Sequence, residues 1–364
     1  MTERYEDDDQ SDKHLEARDR RYSCLISHAF YYFSEKSNPR NTEKKEILQT
    51  ALITAIEHKL THTVQELLEK GVDFEAKNEA GTPALIVAAS NGLTKTVEDL
   101  LNKGANKEAK DQNGSTALIA AASTGHTDVV RVLLEKGCKL EAKNEAGVTA
   151  LIGAASQGHI YAVTQLLRRG ADLEAKTNDG STALIKAAEN GHEQIVKNLI
   201  AHGANISVKN DLGSTALIKA AENGHLDVVE HLIENEADIN VEDVIGYNAL
   251  TRAAAHGHTK VVRALIANGA NIDSIKSDKY NALPLALIKL RLQNNFQSSN
   301  SNGESPMAIS EESKEDAPKG LIELKPPKND VPIKVNSKVN WNPISLNHAT
   351  RFQEWSLKSI PTLG

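Results

Sequence analysis

The chain has 364 residues, of which 40% are hydrophobic, 25% charged and only 4% aromatic, and its net charge is -7. Such a composition describes a soluble protein whose core is built from Ala, Leu, Ile and Val rather than from large rings. The mild charge has both signs interspersed, which argues against non-specific nucleic-acid binding, and no stretch approaches ~18 consecutive apolar residues, so no membrane span is expected.

Residues 1–20, MTERYEDDDQSDKHLEARDR, are nearly free of aliphatic side chains. They predict a disordered tail and no secretory signal. Tyr22 to Phe33 then gathers Tyr22, Phe30, Tyr31, Tyr32 and Phe33. Near-helical spacing of its apolar residues predicts a helix over 21–44 that caps an array, with a partner-binding helix as the alternative. The two cysteines, Cys24 and Cys138, are too far apart for a CxxC site. They are expected as free thiols in a reducing, cytoplasmic compartment.

From Lys45 the text becomes periodic, and the period is 33 residues. Thr177 to Lys209 reads TNDGSTALIKAAENGHEQIVKNLIAHGANISVK, and the units at Asn144 and Asn210 repeat its GxTALIxAA, GH and paired aliphatics. Six regular units open at Asn78, Asp111, Asn144, Thr177, Asn210 and Asp243, after a degenerate one from Lys45 in which Leu48 and Lys59 replace the usual glycines. A partial unit from Lys276 closes the array near residue 294.

Within a unit, a glycine such as Gly180 suits a turn that needs positive φ. Thr116, Thr149, Thr182 and Thr215 stand where a hydroxyl caps a first helix. A second glycine ends that helix, and the paired aliphatics give a second helix one apolar stripe. Residues 295–340 are rich in Ser, Asn, Glu, Lys and Pro, which predicts a linker. Residues 341–364 carry Phe352, Trp355 and Ile360 on a short helix that would fold back on the array, bind a partner or direct sorting.

These motifs resemble the ankyrin repeat family over residues 45–294. The resemblance implies an all-α solenoid of stacked helix-turn-helix units with β-hairpin-like turns, flanked by disordered tails. Ala117, Ala150, Ala183 and Ala216 replace the family's proline, and Ile86, Ile119, Ile152, Ile185 and Ile218 replace its histidine. Those isoleucines are expected to substitute burial for a hydrogen bond, each worth roughly 1.5–3 kcal/mol. Glu236 stands where neighbouring units have glycine and should carry strain of order 1 kcal/mol.

No P-loop, nucleophile-elbow or HExxH motif occurs, so no enzyme, cofactor or metal is expected. His126, His159, His192, His225 and His258 recur once per unit, too far apart to converge on zinc, and are expected to pack. Function therefore falls to the surface. The family's contact positions map onto turn tips and first helices. They include Ser115 and Thr124, then Asp179, Ser181, Lys186 and Glu189. Asp211, Ser214, Lys219 and Glu222 follow, and then Ile245, Tyr247, Arg252 and His256.

Lys186, Lys219 and Arg252 recur at one unit position, flanked by Glu189 and Glu222. With Tyr247 and Arg252 as anchors, the row is expected to grip an acidic segment of a protein partner; the alternative is a solvated face of local ion pairs. The expected protein is a monomeric, non-catalytic adaptor with a concave binding face. Its setting is left open between a resident scaffold of a protist, a regulatory subunit or inhibitor of an enzyme, and an effector that an intracellular bacterium secretes into its host by a non-Sec route. Leu232 to Asn240 also resembles the pattern of asparaginyl hydroxylation, with Asn240 as its target.

Overall fold

The computed structural model describes residues 41–271. The predicted N-terminal tail and most of the capping helix, the partial last unit, the linker and the C-terminal tail lie outside the described residues. The fourteen described helices come in pairs. They are α1 (Asn41–Glu57) with α2 (Thr61–Glu69), α3 (Ala84–Ser90) with α4 (Thr94–Asn102), α5 (Ala117–Ser123) with α6 (Thr127–Glu135) and α7 (Ala150–Ser156) with α8 (Ile160–Arg168). Then follow α9 (Ala183–Glu189) with α10 (Glu193–Ala201), α11 (Ala216–Glu222) with α12 (Leu226–Glu234) and α13 (Ala249–Ala255) with α14 (Thr259–Ala267). Each first helix packs on the first helices of the adjacent units, and each second helix on the adjacent second helices.

Helices of seven and nine residues are too short to persist alone, so tertiary burial must hold them. In α9, Ala183, Leu184, Ile185, Ala187 and Ala188 are all buried, leaving Lys186 and Glu189 outward. The alanine pairs keep the stacked helices close, and Ile86, Ile119, Ile152, Ile185 and Ile218 are buried as expected. Thr116, Thr149, Thr182 and Thr215 each accept the N–H of the isoleucine three residues on, at 3.3–3.5 Å. Unit 243 achieves the same end with a capping box between Asn248 and Thr251.

The turns opening at Asn78, Asp111, Asn144, Asn210 and Asp243 are closed by an Asn or Asp side chain, and the one at Thr177 by its hydroxyl. The Asn144 side-chain oxygen accepts from the backbone N–H groups of Ala146 and Val148 at 3.0 and 2.9 Å. From the unit at Asp111 onward, one backbone bond joins each turn to the next: Glu145 N–H to the Asn113 carbonyl, Asn178 to Ala146, Asp211 to Asp179 and Val244 to Leu212, all at 2.9–3.0 Å. Among the described residues no strand forms; the hairpin-like character survives as one bridge between Lys77 and Pro83.

At the N-terminal end, α1 is seventeen residues long and runs through Leu48, so the register position expected to be a turn is helical there. Ile233, on the outer helix of unit 210, is only partly buried, as is Ile200 of unit 177. Those outer stripes are narrower than the first-helix core.

Candidate partner-binding surface

The five recurrent histidines hold unit to unit. Each is the residue before a second helix, and its Nε2–H donates to the carbonyl of the last first-helix residue of the preceding unit. The pairs are His126 to Ser90, His159 to Ser123, His192 to Ser156, His225 to Glu189 and His258 to Glu222, at 2.9–3.1 Å. Those carbonyls have no partner within their own helix, so the bond satisfies an otherwise orphan acceptor. The ring needs space as well. A Cβ built on Gly158 would lie 2.8 Å from the His192 ring, while φ at Gly158 is +83°. Where the following unit has Leu93 instead of histidine, the glycine position is filled by Lys59, at φ 57°. Among the described residues no group of three potential metal ligands converges.

On the outward side of the first helices, the three recurrent cations form a continuous ladder. Lys186 Nζ lies 3.3 Å from Asp179 and 3.1 Å from Glu189. Lys219 lies 3.6 Å from the same Glu189 and 2.9 Å from Glu222. Arg252 reaches Glu222 at 3.4 Å, and its Nε donates to Asp243 at 3.1 Å. Glu189 and Glu222 each bridge two units, and the Arg252 guanidinium also covers the Tyr247 ring, 4.9 Å from its centroid. Four carboxylates meet three cations, so the row expected to be basic carries a formal charge of -1 among these seven side chains.

The environment of the ladder favours the charged forms of Asp243, Asp179 and Lys186. Burial pushes the Asp243 carboxyl up, but the Arg252 hydrogen bond and the N–H groups of Tyr247 and Ile245 outweigh it, and the pKa is lowered. Asp179 is likewise lowered: burial raises it, and Thr177, Lys186 and Ser181 more than offset that. Lys186 is raised, because Glu189 and Asp179 outweigh its desolvation.

Of the residues singled out from the sequence, Lys186, Glu189, Lys219, Glu222, Tyr247 and Arg252 are brought together. His256 is exposed beside them, its Nδ1 bonded to the Arg252 carbonyl at 3.0 Å and its ring stacked on His258 with centroids 6.1 Å apart. Ser115, Ser181 and Ser214, expected as contact positions, are buried. Ser115 and Ser181 accept the amide of the next unit's Asn144 or Asn210 and so serve the turn stack, which removes them from the surface. Sequence reasoning passed over Asp243, although it opens a unit nine residues before Arg252, and the apolar turn tips Leu212 and Val244. Asn240 is exposed, and its Oδ1 accepts the Asn271 N–H at 3.0 Å.

A stack of paired helices whose outward residues form one strip across several units defines a repeat-built scaffold. The ankyrin repeat pattern matches residues 24–111, 85–177 and 154–243, with a further single repeat at 245–277, and the chain belongs to that family. Among solved structures it is similar to the ankyrin repeat domain of Bcl-3, described as a unique member of the IkappaB protein family. The identity is 30%, covering 59% of this chain and 97% of that one, with a TM-score of 0.51. A comparison with curated proteins returns no match. Among the described residues no helix is long and apolar enough to cross a membrane.

Proposed function

We propose that the chain is a non-catalytic adaptor that binds a partner protein through the turn tips and first helices of the units opening at Thr177, Asn210 and Asp243. Ankyrin repeats are protein–protein interaction modules, and the observation that supports this location is the ladder. Its cations are partly exposed, preorganised by carboxylates shared between units, and end on an Arg–Tyr pair of the kind that anchors interfaces. An acidic partner segment, the expectation from the cations alone, must replace Asp179, Glu189 or Glu222 as counter-ion rather than enter an empty basic site. Reversal of the cations' charge would leave the resident carboxylates facing more of their own sign, so neutral substitutions are the cleaner probe.

The test places a photoreactive phenylalanine analogue at Tyr247, on this surface, or at Tyr161, an exposed residue of the second helix α8. Full-length chains are irradiated in eukaryotic cytosol. A protein crosslinked from position 247, absent from 161 and lost in Lys219→Gln/Arg252→Gln is the expected result. Crosslinking from 161 alone would place the contact on the second helices and defeat the proposal.

A further inference from the structure

Four large hydrophobic side chains stand exposed among the described residues: Tyr161, Leu212, Val244 and Ile245. Three of them meet at adjacent turn tips, where the Val244 N–H donates to the Leu212 carbonyl at 3.0 Å. Leu212 is 56% exposed, Val244 68% and Ile245 66%. The turn itself does not demand them. Its two tip positions are Gln112-Asn113 in the unit at Asp111 and Asn178-Asp179 in the unit at Thr177, with the same turn glycine following. Contiguous exposed apolar surface of this kind marks interaction sites.

Charge turns from balanced to acidic at the same end of the array. Residues 78–209 contain fourteen acidic and fourteen basic side chains, whereas 210–271 contain nine acidic and four basic, a net of -5. Asp211 and Glu242, which flank the tips, are exposed and stand outside the ladder's ion pairs. Lys209, the neighbouring cation, turns its Nζ to the Glu242 carbonyl at 3.0 Å.

We infer that these tips seat a segment of the partner protein that carries bulky apolar side chains flanked by Lys or Arg. The inference rests on the reading of this side of the array as the binding surface and adds the partner's chemistry to it. Apolar side chains would cover Leu212, Val244 and Ile245, and the basic ones would face Asp211 and Glu242. Electrostatic complementarity disfavours the competing occupants: a second copy meeting the first face to face would bring an equally acidic end against it, and a nucleic acid or anionic lipid surface would be repelled.

The experiment pans a display library of random short peptides against the full-length chain, then measures Kd for synthetic versions of the selected peptides by fluorescence anisotropy. The comparison protein is Leu212→Asp/Val244→Asn/Ile245→Asp, which installs the residues that the unit at Thr177 already uses at its tips. Its thermal melt should match the wild type. The expected result is a set of peptides combining large apolar residues with Lys or Arg, bound about tenfold or more weakly by the variant and more weakly by the wild type as salt rises. Selection of acidic or purely polar peptides, failure to select any, equal affinity for the variant, or wild-type dimerisation lost in the variant would each overturn it. Peptides lost only in Lys219→Gln/Arg252→Gln would uphold the ladder as the binding surface while sinking this inference. Peptides insensitive to both sets of substitutions would sink both readings.

Discussion

Glu236 shows what one residue costs against the period. It has φ 64° at a place where Gly203 and Gly269 of the flanking units have φ 91° and 87°. A Cβ in the left-handed region is held there only because the surrounding turn requires it. Its N–H still donates to the Ile233 carbonyl at 3.0 Å, so the helix C-terminus is closed as in the other units. Glu236→Gly removes the strain but adds entropy to the unfolded chain, and the first effect is the larger. It should raise stability by about 1 kcal/mol, read as a higher urea midpoint with an unchanged m-value. A lower midpoint would mean that the glutamate earns its place through its charge.

At the scale of the element, the short helices of each unit are set by caps, and the units are set by what crosses between them. A His–carbonyl bond, a ring seated over a glycine and one backbone bond between turns recur at the regular junctions. Gly158→Ala tests whether the ring seat is structural. The new methyl group would meet the His192 ring at 2.8 Å and take a positive φ, so either the ring moves and loses the Ser156 carbonyl or the turn shifts. The expected loss is about 2 kcal/mol, the sum of backbone strain and the lost bond to a partly buried acceptor, measured by denaturant unfolding. The double variant Gly158→Ala/His192→Leu should recover part of it, since Lys59 beside Leu93 shows that combination in the native chain. No recovery would assign the whole cost to φ.

These elements were legible in the sequence because a glycine, a hydroxyl and paired aliphatics each answer a local physical demand that repeats every 33 residues. The binding strip was only half legible. Lys186, Lys219 and Arg252 announce themselves by their period, but their acceptors come from different unit positions. Glu189 and Glu222 are three residues further along their helices, while Asp179 and Asp243 sit in turns. Periodicity reports what is repeated and is silent on which neighbours in space are shared. The burial of Ser115 and Ser181 escaped for the same reason: the amide that bonds each of them belongs to the next unit.

Over the whole molecule, stability is close to a sum of units and junctions, so a defect at one junction stays local unless it breaks a group shared by two. Arg252 is such a group, bonded to Asp243 in its own unit and to Glu222 in the one before. The Asp243 carboxylate is buried, and Arg252→Gln leaves it without its counter-charge, which should cost about 2 kcal/mol at neutral pH. The pH dependence separates charge from packing. The folded-state pKa of Asp243 lies below its usual 3.8, so its contribution is fully present above 3.8 and disappears as pH falls through the folded value. Lys186, raised above 10.5, behaves oppositely: its contribution is present below 10.5 and is lost as pH climbs through its folded value. The difference in stability between wild type and Arg252→Gln should therefore be largest at neutral pH and shrink in acid as Asp243 takes up its proton. A difference that persists undiminished at low pH would assign Arg252 to its packing over the Tyr247 ring, and the ladder would then be a consequence of the fold rather than a support for the junction between the units opening at Asn210 and Asp243.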